Sequence, residues 1–250
     1  MEGQETTQET NRTGVGHFAD THWSVVLAAG DSTSPQSVEA LEKLCRTYWY
    51  PLYAFVRRQG RSEHDAKDLT QGFFAHLLER RAFRSVVQHR GRFRSFLLKS
   101  LKNYLADQYE HQHAQKRGGG QVPISIDAQE AEQRYQLEPA TLDTPERVFE
   151  QRWALALLDA VLLRLELEYA TAGKGSLFSL LRDFLLDTAQ GKTYADIAAQ
   201  VGMSEEAVKK ASQRMRQRYQ QIIREEISHT VATAGEVEEE MRYLWSVLGA

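Results

Sequence analysis

Apolar side chains recur three and four residues apart along most of the chain, a spacing that places them on one face of an α-helix. In the first half this pattern covers residues 38–56, 66–78 and 93–109. We expect Pro51 to interrupt the first of these helices and Gly60 to end it. Ser62, with Asp65 three residues later, has the spacing of a helix N-cap. No segment shows the strict alternation typical of a strand.

The helical pattern returns in the second half over residues 145–165, 177–186, 194–201 and 204–227. Thr144 and Pro145 suit the N-cap and the first position of a helix. The stretch between the two halves begins with three glycines and shows little periodicity, which is typical of a linker. The sequence therefore predicts an all-α fold of two helical domains joined by a flexible linker. The predicted segments are a disordered lead (1–16), a first domain (17–117), the linker (118–144), a second domain (145–227) and an acidic amphipathic tail (228–250).

Residues 193–227 carry the most specific pattern in the chain. Thr193 and Asp196 have capping-box spacing before a short apolar helix. Gly202 suits a tight turn, and Ser204 suits the N-cap of a second helix. We interpret this as a helix-turn-helix in the second domain, whose second helix enters the DNA major groove with its N-terminal turns. An ordinary packed helix pair is the alternative. The residues predicted to face bases or phosphates are Ser204, Glu206, Ala207, Lys209, Lys210, Gln213 and Arg214.

The formal net charge of −3 conceals two basic stretches. Residues 84–117 hold eight Lys and Arg against two acids, and residues 209–224 hold six with no acid. Two basic stretches separated by neutral chain suggest two contacts with one long polyanion, although solvated basic helix faces would give the same count.

Several function classes are disfavoured by what the sequence lacks. No apolar run reaches the roughly twenty residues that span a bilayer, and the polar, acidic N-terminus is unlike a secretory signal. The single cysteine cannot form an internal disulfide, and no Cys/His spacing resembles a zinc site. We therefore expect a cytoplasmic protein with no cofactor. Glu110, His111 and His113 form the one candidate catalytic cluster, but a lone His-x-His is more often solvated, so we expect no enzyme.

Four motifs, in this order, resemble those of the extracytoplasmic-function group of bacterial sigma factors. The resemblance covers roughly residues 40–227. The motifs are Tyr-Trp-Tyr-Pro-Leu-Tyr-Ala-Phe (48–55), Asp-Ala-Lys-Asp-Leu-Thr-Gln-Gly-Phe-Phe (65–74), Phe-Arg-Ser-Phe-Leu-Leu-Lys-Ser-Leu-Lys-Asn-Tyr-Leu-Ala-Asp (93–107) and the helix-turn-helix. The Trp-Ser-Val-Val opening and the tail resemble a longer-tailed branch. The resemblance implies a factor that binds core RNA polymerase, at the β′ clamp helices and the β flap, and directs promoter-specific initiation. A helix-turn-helix regulator acting independently of core polymerase is the alternative.

The resemblance also implies roles for individual residues. The polymerase-docking surface would include Asp65, Asp68, Leu69, Gln71 and Gly72. The segment that reads the minus-ten element would include Arg92, Arg94, Lys99, Lys102, Asn103, Asp107, Lys116 and Arg117. Its basic residues would hold phosphates, and Asn103 and Asp107 match positions implicated in base recognition. Phe93, Phe96 and Tyr104 lie at helical spacing, which favours the core over base stacking.

The chain departs from the family pattern at the docking helix. Lys67 and Gly72 stand where Glu is common, and on a helical wheel Gly72 shares the polar face with Asp65 and Asp68. Added negative charge would strengthen this face, which makes Thr70 a candidate phosphosite for a Ser/Thr kinase. The phase of Thr70 in the apolar stripe favours a half-buried structural residue instead. An anti-sigma factor is the other candidate regulator.

Two further departures lie in the second domain and the tail. Ser212 stands where a buried Leu is more usual, so we expect looser packing there, and the stretch 166–190 is longer than the short turn expected. The tail alternates acids with apolar residues over 236–249. We hypothesise that it folds back on one of the domains and masks a basic face.

Overall fold

A computed structural model describes residues 35–79, 92–114, 128–137, 143–189, 191–231 and 233–249. Within these ranges every regular element is a helix, which confirms the all-α prediction. None of these helices is long and apolar enough to cross a bilayer. The disordered lead expected at 1–16 lies outside the described residues. The helices are α1 (Pro35–Arg58), α2 (Glu63–Glu79), α3 (Phe93–Ala114), α4 (Ala128–Gln136), α5 (Pro145–Thr171), α6 (Gly175–Leu185), α7 (Tyr194–Val201), α8 (Glu205–Ser228) and α9 (Ala234–Leu248).

Helix α1 continues through Pro51, so the predicted interruption is wrong. A proline in a helix interior costs about 3 kcal/mol, whereas burying one large apolar side chain contributes about 1.5–3 kcal/mol. Next to the proline, α1 fully buries Leu52, Tyr53 and Phe55. Because α1 packs against α2, α3, α4 and α5, the burial of these side chains outweighs the cost of the proline.

The predicted N-caps of α2 and α5 are both present. The Ser62 hydroxyl accepts a hydrogen bond from the backbone N–H of Asp65 at 3.1 Å and donates one to its carboxylate at 2.7 Å. The Thr144 hydroxyl accepts from the backbone N–H of Arg147 at 3.3 Å, with Pro145 at the first helical position. Each cap satisfies an N–H that the helix itself leaves without an acceptor.

Helices α1 and α5 pack along one continuous core. The indole N–H of Trp153 on α5 donates to the Tyr48 hydroxyl on α1 at 3.2 Å, and both side chains are almost fully buried. The same core extends to Ile222 and Ile223 of α8. The two expected domains are therefore in contact in this structure, and their independence stays a prediction.

Helix α4 lies inside the stretch 118–144 that was expected to be a linker. Its Glu132 accepts hydrogen bonds from the Tyr53 hydroxyl and from Arg57, whose Nε and Nη2 lie 3.0 and 2.9 Å away. Burial acts to raise the pKa of Glu132, but the hydrogen bonds from Tyr53 and Arg57 outweigh it and hold the pKa below the usual 4.5. Polar contacts of this kind produce no periodic spacing of apolar residues, so the sequence pattern did not predict α4.

The tail forms α9, which packs against α5 and α8. Thr233 and Glu236 make a capping box at its start, and Met241 and Leu244 are buried. The turn before α9 also contacts α3, because the backbone N–H of Phe93 donates to the carbonyl of Thr230 at 3.1 Å. The amphipathic tail therefore lies against both halves of the chain.

Candidate nucleic-acid interface

Helices α7 and α8 are joined by a three-residue turn whose geometry follows the predicted signals. Thr193 and Asp196 form the capping box of α7, with a backbone-to-carboxylate distance of 2.8 Å. Gly202 ends α7 in the left-handed region, at φ 66° and ψ 31°, where glycine is favoured. The Ser204 hydroxyl then caps α8 by accepting from the backbone N–H of Ala207 at 3.2 Å. These local contacts fix the direction in which α8 leaves the turn.

The inner face of the α7–α8 pair is well packed even at Ser212. This residue is buried, and its hydroxyl lies 3.2 Å from the Tyr194 hydroxyl. Tyr194 in turn stacks on Phe184 of α6 with ring centroids 4.5 Å apart. The stretch before α7, which is longer than the family pattern, thus contains α6, a helix that packs against the α7–α8 pair.

The outer face of α8 carries most of the residues predicted to contact DNA. Ser204, Glu206, Lys209, Lys210, Gln213 and Arg214 are exposed, and Ala207 is half-buried. Lys209 and Lys210 form ion pairs with Glu205 and Glu206 at 2.6 and 2.7 Å. The hydrogen bond that Lys209 donates to Glu205 raises the pKa of Lys209. This face offers donors and acceptors for base edges together with cations for phosphates.

Three of the six cations in the stretch 209–224 contact other helices of the protein. Arg218 forms ion pairs with Glu168 at 2.7 Å and with Glu225 at 3.0 Å, which fastens α8 to α5. Arg216 donates to the carbonyl of Phe184, and Arg224 pairs with a carboxylate of α9. The hydrogen bond to Glu168 is the main reason that the pKa of Arg218 is raised. The count of six cations therefore overstates the charge available to DNA.

Helix α3 presents the second candidate surface. Lys99, Lys102, Asn103 and Asp107 are exposed on it, as a contact with DNA would require. Phe93 and Tyr104 are buried and Phe96 is half-buried, so these rings belong to the core as their spacing indicated. Lys102 forms an ion pair with Glu146 of α5 at 2.6 Å. Lys116 and Arg117 lie outside the described residues.

Arg92 and Arg94 contact protein carboxylates where the sequence suggested phosphates. Arg94 is 3% exposed, and its Nε lies 2.5 Å from Glu240. Its Nη1 lies 2.5 Å from Glu150 of α5. Arg92, half-buried, pairs with Glu239 at 3.2 Å and with Glu240 at 2.7 Å. No local pattern could have found these contacts, because residues 94 and 240 are 146 positions apart.

The candidate polymerase-docking face on α2 is smaller than the helical wheel indicated. Asp65 and Asp68 are exposed, Leu69 and Gln71 are half-buried, and Gly72 is buried. Gly72 therefore does not share the exposed polar face with Asp65 and Asp68. Lys67 pairs with Glu63 at 2.7 Å.

Thr70, the candidate phosphosite, is fully buried in this structure. Its hydroxyl donates to the carbonyl of Ala66 one turn earlier at 2.7 Å. In this conformation a kinase cannot reach it, and the structural role that its phase favoured is the one observed.

The described residues contain no group of three or more His, Cys, Asp or Glu side chains that could hold a metal ion. The side chains of His111 and His113 lie outside the described residues.

A capped helix pair with an exposed basic face, in an all-helical chain, is typical of DNA-binding proteins. A sequence model of the family described as ECF sigma factor matches residues 28–225, most of the chain. The chain therefore belongs to the ECF sigma factor family, whose members bind RNA polymerase and DNA in transcription initiation. A search of curated proteins found no match, and a search of solved structures found none. The longer-tailed branch stays a prediction.

Proposed function

We propose that this chain binds core RNA polymerase and directs it to specific promoters, with α8 reading the minus-thirty-five element and α3 reading the minus-ten element. The observation that carries the proposal is the exposed face at the start of α8, held by two caps and a left-handed glycine. The match to the ECF sigma factor family supports a role for that face in transcription initiation.

The side chains on α8 suit duplex DNA. Gln213 can pair with the edge of an adenine, and Arg214 can pair with a guanine or hold a phosphate. Both are exposed two turns into the helix, within the part that a recognition helix inserts in the major groove. The neighbouring ion pairs of Lys209 and Lys210 are exposed, so exchanging a carboxylate partner for a phosphate has a small cost.

The exposed face of α3 suits an opened strand. Lys99 and Lys102 supply cations, while Asn103 and Asp107 supply hydrogen-bonding groups on the same side of the helix. Single-stranded DNA is bound through this combination of backbone charge and base contact. Helix α2 binds polymerase through the exposed carboxylates of Asp65 and Asp68.

Transcription with purified core polymerase on genomic fragments, with start sites mapped, tests this proposal. Addition of the chain should create new start sites that core polymerase alone does not use. Asp68→Ala should reduce their yield, because it removes a carboxylate from the docking face. Glu166→Ala is the matched control, an exposed acid on α5 away from that face. Duplex binding with no effect on core polymerase would favour the independent helix-turn-helix regulator.

A further inference from the structure

The start of α3 is enclosed by carboxylates from α5 and α9. The Arg94 guanidinium donates hydrogen bonds to Glu240 at 2.5 and 3.3 Å and to Glu150 at 2.5 Å. The rings of Tyr243 and Trp153 cover its faces, with centroids 4.0 and 4.9 Å from Cζ. Removing one partner of a buried, charge-assisted pair of this kind leaves the other charge buried without compensation, which is more costly than breaking a surface pair.

Arg92 completes a two-arginine cluster with the same carboxylate. Glu240 is 1% exposed and lies within 2.7 Å of both guanidinium groups, and Glu239 adds a second contact to Arg92. We call these residues, with Glu150, the arginine cluster. Two guanidinium groups side by side form an oxyanion site, which would accept the phosphates of a DNA strand as readily as carboxylates.

The arginine cluster holds more acid than base. Three carboxylates face two guanidinium groups, so one negative charge is in excess. Burial is the main reason that the pKa of Glu150 is raised; Arg94 opposes the shift and Glu240 adds to it. Separation of α9 from α3 would return the carboxylate of Glu240 to water, which lowers the cost of opening.

The closed arrangement is too compact for the promoter contacts proposed above. The minus-ten and minus-thirty-five elements are centred about 25 base pairs apart, or about 85 Å of duplex at 3.4 Å per step. A compact chain of 250 residues has a radius of gyration of about 18 Å and hence a diameter of about 46 Å. Helices α3 and α8 cannot bind both elements while α3 is tied to α5 and α9.

We propose that the arginine cluster is a phosphate-binding site of the minus-ten surface, which α9 occupies in the closed state through Glu239 and Glu240. Release of α9 removes Glu239 and Glu240 from Arg92 and Arg94. Arg94 then keeps only Glu150 of α5, so contact of both arginines with the DNA backbone, and movement of α3 away from α8, also require α1 and α3 to separate from α5. Lys102, paired with Glu146, is released by the same movement. This inference rests on the proposed function, because it assigns α3 a contact with DNA.

Affinity of the full chain for fluorescent single-stranded oligo(dT) tests the inference. Glu240→Gln keeps the shape of the side chain and removes its charge, and Glu238→Gln is the matched control on the outer face of α9, paired with Arg224. Glu240→Gln should bind the strand roughly fivefold tighter or more, the lower end of ordinary coupling between sites. The slope of log affinity against log salt should steepen by about 2.1, which is about 0.7 for each of the three newly engaged cations, Arg92, Arg94 and Lys102.

Helicity and thermal midpoint show whether Glu240→Gln remains folded. If it unfolds, Glu239→Lys serves instead, since Glu239 is exposed, with Glu238→Lys as its control for the added charge. Lys99→Ala lies outside the arginine cluster. It therefore tests the proposed minus-ten role of α3 separately from the occupation of the arginine cluster by α9. Loss of binding in Lys99→Ala without any gain over the control in Glu240→Gln would overturn the inference and leave the proposed minus-ten role in place. No effect of either substitution would overturn both.

Discussion

The hydrogen bond between Trp153 and Tyr48 gives the sharpest stability prediction, because it joins α1 to α5 at the centre of the shared core. Tyr48→Phe removes the acceptor of the indole N–H while keeping the ring and its edge-on contact with Phe93. A buried donor left without an acceptor costs about 1–3 kcal/mol. For a chain of this size each kcal/mol lowers the melting temperature by roughly 2–4 °C.

Urea unfolding, followed by both tryptophan fluorescence and far-ultraviolet circular dichroism, measures this cost. Since α1 and α5 share one core, the two signals should change together in Tyr48→Phe as in the wild type. Tyr109→Phe is the control, because Tyr109 is 54% exposed and its hydroxyl can reach water. A cost for Tyr48→Phe no larger than that of the control, or two separate transitions, would refute the shared core and favour independent domains.

Three other predictions follow from substitutions of single residues. Gly202→Ala should lower the unfolding free energy by about 1–2 kcal/mol, because its φ of 66° disfavours a Cβ although the space around it is open. Gly235→Ala, inside α9, should raise the unfolding free energy, and changes of the same sign for both substitutions in urea unfolding would contradict this. The stability difference between the wild type and Glu132→Gln should be present above pH 4.5 and disappear as the pH falls through the lowered pKa of Glu132. A difference that stays constant with pH in the same assay would contradict the role of the Glu132 carboxylate in holding α4 to α1. Lys67→Glu should tighten core-polymerase binding, while Gly72→Glu should destabilise the fold by burying a carboxylate. Tighter binding by Gly72→Glu with native stability would contradict the buried position of Gly72.

The sequence predicts well those features that depend on neighbours within one helical turn. The caps at Ser62, Thr144, Thr193 and Ser204 all join residues three positions apart, and all are present. Helical period also separated the buried rings of α3 from its exposed polar face. Such features follow from local geometry, whatever the rest of the chain does.

Features that depend on distant partners could not be predicted in this way. Pro51 remains helical because the surrounding core outweighs its cost, and α4 docks through the carboxylate of Glu132 together with the burial of Ala131. Arg94 and Arg218 read as free basic charge in the sequence, yet each is held by carboxylates of other helices. A cation count cannot distinguish a residue that binds DNA from one that fastens two helices, since both look alike until the acids are placed.

Base preference at mapped start sites tests the central claim most directly. Starts made by the wild-type chain with core polymerase should share one sequence near minus ten and another near minus thirty-five. Arg214→Ala should relax the preference only at the minus-thirty-five element, at a cost of about 1–3 kcal/mol if it reads a base, and Asn103→Ala should relax it only at the minus-ten element. Start sites whose sequences are unchanged by both substitutions would contradict the assignment of α8 and α3 to these two elements.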